Sequence, residues 1–259
     1  MSRASRLLTF RAYGVDIQVE IGDPGLLAGV RDVLPPGAQE IDPAGPSSTL
    51  FALSAEGDVQ QDGRPLATGQ APVVQIVALE AAIRTHVAVS SPDYVFVHAG
   101  VVAVGDRALL VPGFSFAGKT TLVAELVRRG ATYYSDEYAV LDASGQVHPY
   151  PKKLSLRLGA GRRQTETSVT ELGGRAGTEP AQVALVAVTS YRPGAVWSPV
   201  RLSAGRGALL LLAHTVPARL RPEESLAAVR RAADGAIVLE GERGPAELAA
   251  GDLLTLLAA

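Results

Sequence analysis

Nine consecutive residues constrain this chain more than any others: Gly113, Phe114, Ser115, Phe116, Ala117, Gly118, Lys119, Thr120 and Thr121. They fit G-x-x-x-x-G-K-[ST], the Walker A or P-loop pattern. The flanks fit as well. Residues 108–112 are a short apolar run of strand length, and residues 121–129 place Leu122, Val123, Leu126 and Val127 at helical spacing. Gly130 follows where a glycine ends a helix. The order is therefore strand, glycine loop, helix. A helix N-terminus presents unpaired N–H groups and partial positive charge, so it holds phosphate. Gly113 and Gly118 let the backbone amides approach the oxygens. In such a loop Lys119 reaches the β- and γ-phosphates and the Thr120 hydroxyl holds Mg²⁺. Lysine occurs elsewhere only at Lys152 and Lys153.

The rest of the chain must build a core around that loop. Of 259 residues, 47% are hydrophobic and 19% charged, a globular composition. A net charge of -2 gives no general affinity for nucleic acid. Without cysteine there is neither a disulfide nor a thiolate metal site. The first eleven residues lack the apolar core of a signal peptide. No uninterrupted apolar run approaches the ~20 residues of a bilayer span. The reading is a soluble, cytoplasmic protein with no membrane partner.

Residues 1–92 read as a small α+β part. Strand periodicity covers 7–21, and Asp23 with Pro24 opens a short helix to Leu34. A strand covers 49–54, and Asp62-Gly63 marks a hairpin. A long amphipathic helix over 71–89 has Val74, Ile76, Val77, Leu79, Ile83 and Val87 on its apolar face. Residues 93–259 read as the loop-bearing domain. Strands are expected at 94–104, 107–112, 183–189, 200–203 and 237–239, and helices after the loop, over 205–219, 222–231 and 245–257. Residues 159–181 are glycine-rich and aperiodic, which reads as a lid, a substrate loop or disorder.

A phosphate loop needs an acidic contribution for the metal or the attacking group. Asp136 and Glu137 follow the loop helix directly, and residue chemistry leaves Asp136 open between surface acid and site residue. Asp142 ends the apolar run 138–141 as a strand-ending metal aspartate would, but it also opens an Asp-Ala-Ser-Gly turn, and the turn role is the favoured reading. His98 lies in an apolar strand one hairpin before the loop, either structural or able to bind metal or carry protons. Arg157 is open between steering an anion and a surface role.

Taken together, Val97-His98-Ala-Gly-Val, the loop at 113–120, the helix ending in Arg-Arg-Gly-Ala, and Ser-Asp136-Glu137 resemble the catalytic core of HPr kinase/phosphorylase. That core belongs to the wider phosphoenolpyruvate-carboxykinase-like group. The resemblance spans roughly residues 95–158 and implies an α/β fold with a mixed, bent sheet and flanking helices around the loop. It implies that His98 and Asp136 face the phosphates, with Asp136 as base or metal contact and Glu137 as second acid. A fainter match at Ala204-Gly205-Arg206-Gly207 implies a phosphate contact for Arg206, against a solvated arginine as the plain alternative. The chain departs from the family at Phe114 and Phe116, and it lacks the family's signature within 152–181. It is more similar to divergent HPr-kinase-like serine kinases, some of which modify ribosomal peptide natural products.

The expectation is therefore an ATP- and Mg²⁺-dependent kinase acting on a hydroxyl, serine above all, of a peptide, protein or small molecule, in a homo-oligomer. In this reading the loop residues, with Arg206, bind nucleotide. Thr120 and Asp136 hold metal, while Asp136, His98, Lys119 and Glu137 are catalytic. A silent nucleotide-binding regulatory module and a triphosphatase acting on water are the alternatives.

Overall fold

The computed structural model describes residues 5–41, 48–114, 117–157 and 164–259. The chain divides into two compact units, Met1–Asp93 and Tyr94–Ala259.

In the first unit, strands β1 (Arg6–Ala12), β2 (Val15–Ile21), β3 (Gln39–Glu40), β4 (Thr49–Leu53), β5 (Val59–Gln61) and β6 (Arg64–Ala67) form a sheet in the order β3-β1-β2-β4-β5-β6. All neighbours are antiparallel except β2 and β4. Alternation buries Ile17, Val19 and Ile21 of β2 on one face. The expected helix at 23–34 is a 3-10 turn, Pro24–Leu26, running into the short α1 (Leu27–Asp32), and Asp23 caps it by accepting from the Gly25 N–H.

Helix α2 (Pro72–Ser90) buries Gln75, Leu79, Ile83 and Val87, one every four residues. Val73, Val74 and Val77 are exposed, so the expected apolar face holds only over its second half. This helix is long and apolar enough to cross a membrane by length and composition. A core helix of a water-soluble domain passes the same test.

The second unit is a three-layer α/β structure. Its strands are β7 (Val95–Val104), β8 (Arg107–Pro112), β9 (Thr132–Ser135), β10 (Tyr138–Leu141), β11 (Val147–His148), β12 (Leu154–Arg157), β13 (Gln164–Thr167), β14 (Gln182–Tyr191), β15 (Val200–Leu202) and β16 (Ile237–Arg243). The helices are α3 (Lys119–Arg128), α4 (Ala204–Leu212), α5 (Pro222–Ala233) and α6 (Ala246–Ala258). The main sheet runs β11-β10-β7-β8-β14-β16-β15, with β9 also on β7, while β12 and β13 form a separate hairpin. It is mixed: β8, β14 and β16 are parallel, and the outer pairs are antiparallel.

Helices on both faces explain the nearly unbroken apolar strands. Val101 and Leu110 face the core shared with α4 and α5, whereas Val102, Leu109 and Val111 face the core of α3 and α6. Gly100 admits α3 closely, because a methyl group there would come 2.5 Å from Val123 Cγ2.

Two expectations change here. Residues 164–167 are a strand, and 168–174 form a hydrogen-bonded turn in which Ser168 N donates to Glu171 and Gly174 N to Val169 O. Backbone bonds and one glutamate side chain hold this turn, and such contacts have no period to read. Strand β16 continues to Arg243, past the apolar stretch 237–239, because its parallel pairing with β14 runs to Tyr191.

Candidate functional site

The loop lies at the carboxyl ends of the parallel strands. Strand β8 ends at Pro112, β14 at Tyr191 and β16 at Arg243, which is the end where α/β sheets place ligands. Gly113 N donates to His98 O, tying the loop's entry to β7. At its exit Gly118 has φ 80°, and Lys119 opens α3. Ser115 and Phe116 lie outside the described residues, as does the side chain of Arg157. Phe114 is exposed and sets its ring 4.4 Å from that of His214. Ala117 N donates to Phe114 O within the turn, and Thr121 occupies the first turn of α3.

Lys119 Nζ donates to Gly113 O at 2.7 Å and Phe114 O at 2.8 Å, so the lysine spans the loop it belongs to. Burial lowers its pKa, against the opposing pull of Glu137 and Asp136. Thr120 Oγ1 donates to Asp136 Oδ2 at 2.9 Å. The Tyr133 hydroxyl lies 3.0 Å from Asp136 Oδ1 and 2.8 Å from Lys152 O. A phenol has one proton, so these two acceptors compete for it unless Asp136 carries a proton of its own. Burial pushes the Asp136 pKa up, with the bonds from Thr120 and Tyr133 and the charge of Lys152 opposing. Burial likewise raises the pKa of Tyr133.

Glu137 is in a different setting. It is about a quarter exposed, and its Oε1 lies 3.8 Å from His98 Nδ1. The His98 ring rests 4.9 Å from that of Tyr138, its cross-strand partner. The Ser135 hydroxyl accepts from the N–H groups of Glu137 and Tyr138 and so fixes the turn that separates the two acids. Asp136 thus points toward Thr120, and Glu137 toward His98 and Lys119.

Arg206 is not brought to this cluster. It is exposed in the first turn of α4, and among the described residues no hydrogen bond or ion pair joins it to the loop. The other end of α4 arrives instead. His214 O accepts from His98 N at 2.8 Å, and burial lowers the His214 pKa, helped by the charges of Lys119 and His98. Arg243, 2% exposed, reaches the loop from β16 and donates from Nη2 to Gly118 O at 2.8 Å.

Sequence reading missed both residues. His214 sits in a stretch read as mostly helical, and Arg243 lies beyond the expected strand 237–239. Asp142 caps its own turn through Ser144 and Gln146 and pairs with His148, the turn role expected of it.

Among the described residues no group of three or more His, Cys, Asp or Glu could hold a metal ion. Mg²⁺ bound with a nucleotide takes only one or two protein oxygens beside phosphate and water. Thr120 Oγ1 and the adjacent Asp136 carboxylate fit that need. A comparison with protein-family models finds none that matches, and a comparison with curated proteins finds no relative.

Proposed function

We propose that the protein is an HPr-kinase-like serine kinase: it binds Mg·ATP at residues 113–121 and transfers the γ-phosphate to a hydroxyl of a peptide, protein or small molecule. One observation carries this reading. Lys119, Thr120 and Asp136 converge at the carboxyl end of β8, where the chain passes through a glycine turn into the start of a helix.

Each residue then has a task. The loop amides and Lys119 grip the β/γ oxygens. Thr120, with Asp136 behind it, would hold Mg²⁺, which would neutralise charge on the same oxygens. Asp136 is buried with both oxygens engaged, which suits it to orienting the metal side. Glu137 is the more open acid and is the better placed proton acceptor. The acceptor oxygen bonds to the γ-phosphorus as the bond from that phosphorus to the β,γ-bridging oxygen breaks. The hydroxyl proton passes to the Glu137 carboxylate, which His98 faces.

Two measurements test the proposal. Calorimetry with Mg·ATP should give saturable binding, and labelled ATP with candidate hydroxyl acceptors should give transfer that Asp136→Asn abolishes. Transfer surviving that substitution rejects the site. Binding without turnover on any acceptor selects a regulatory module, and hydrolysis indifferent to acceptors selects a triphosphatase.

A further inference from the structure

Arg243 has no assigned task in that scheme, yet its surroundings are unusual. Its side chain is 2% exposed. Nη2 donates to Gly118 O at 2.8 Å and Nη1 to Gly244 O at 3.1 Å, while Nε is buried without a partner. The Tyr191 ring, at the end of β14, is 5.8 Å from the guanidinium carbon. Among the described residues no carboxylate forms an ion pair with Arg243. Glu247 acts on it only through space.

A buried cation without a counter-ion is costly. Tying down Gly118 O does not require one, since that carbonyl already accepts from Leu122 N at the start of α3. A neutral donor would serve a purely structural role. The charge instead sits one peptide unit behind the amides that open the helix, where an anion on the loop would meet it in a site of low dielectric.

We propose that Arg243 is a positioning residue of the triphosphate site: it fixes the Gly118 peptide, and the bound polyphosphate is its counter-ion. This rests on the nucleotide-binding reading above. The packing agrees, because Gly118 leaves room for the guanidinium where a methyl group would come 2.7 Å from Nη2.

The test is calorimetry with Mg·ATP and with inorganic tripolyphosphate on the wild type, R243M and R243K, beside ligand-free thermal unfolding. R243M should unfold within a few degrees of the wild type, because losing an unpaired buried charge offsets the lost bonds. It should bind both ligands about tenfold or more weakly and with a shallower salt dependence. R243K, which keeps the charge, should stay within about threefold. The proposal is overturned if folded R243M binds tripolyphosphate within about twofold of the wild type, or if R243K loses as much as R243M. Where R243M does not fold, R243Q is read in its place. If neither neutral variant folds, the cation serves the fold and the proposal falls. A wild type that binds neither ligand rejects the nucleotide-site reading itself, before any variant is made.

Discussion

Thr120 and Asp136 are bonded across 2.9 Å, so the first turn of α3 and the turn between β9 and β10 hold each other in place. The contact joins a hydroxyl to a carboxylate at the spot where a loop-bound nucleotide would bring its metal. Replacing Thr120 by Ala should therefore act through the metal. Transfer should fall about hundredfold, the scale of losing one preorganised contact to developing charge. The Mg²⁺ concentration for half-maximal rate should rise, while metal-free ATP binds nearly as before. Titrating Mg²⁺ at fixed ATP separates these outcomes.

Burial raises the Asp136 pKa, and this fixes the sign of a pH effect. An acid with a raised folded-state pKa holds its proton more tightly folded than unfolded. Its contribution is favourable at low pH and is lost as pH rises from the ordinary carboxylate range through the raised value. Asn cannot ionise but keeps a donor and an acceptor for Thr120 and Tyr133. Asp136→Asn should gain thermal stability relative to the wild type as pH increases from about 4 toward neutrality. Melting curves across that range check it. A difference that is flat with pH would mean that burial does not control this group.

Gly118 and Gly130 both have positive φ, at 80° and 100°, but only Gly118 is crowded. Gly130 ends α3 with paired bonds, Gly130 N to Val127 O and Ala131 N to Leu126 O, and nothing lies within 4 Å of an added methyl group. Gly130→Ala should cost about 1 kcal/mol of stability and leave nucleotide affinity unchanged. Gly118→Ala meets the same backbone strain and also the Arg243 guanidinium. It should cost about 1–3 kcal/mol more and weaken Mg·ATP binding markedly. Denaturant unfolding with calorimetry on both variants reads the contrast.

What the sequence made legible follows from how local each signal is. The strand–loop–helix unit was readable because a lysine, two glycines and a helical period occur within twenty residues. The acids at 136 and 137 were readable because they follow the loop helix, but their division of labour was not. It depends on Tyr133 and Thr120 taking one carboxylate and His98 facing the other. Arg243 and His214 reach the loop from more than ninety residues away, through pairing of β16 and packing of α4, and no periodicity records that. Arg206 was offered only by a faint resemblance around residues 204–207, with a solvated arginine as the plain alternative, and it is exposed at the start of α4, whereas the contact with β7 comes from His214, beyond the other end of that helix.

Glu137 supplies the sharpest test of that division. It is partly exposed, faces His98 at 3.8 Å, and lowers the local potential at Lys119. A proton acceptor contributes to the transfer step and not to holding the nucleotide. Glu137→Gln should thus reduce kcat by about 10²–10⁴, the usual worth of a positioned general base. Mg·ATP should bind at least as tightly as to the wild type, because a negative charge near the phosphates has gone. Single-turnover transfer with nucleotide affinity measured in parallel gives both quantities. A variant with normal transfer and weakened nucleotide binding would put Glu137 on the metal side and return the base role to Asp136.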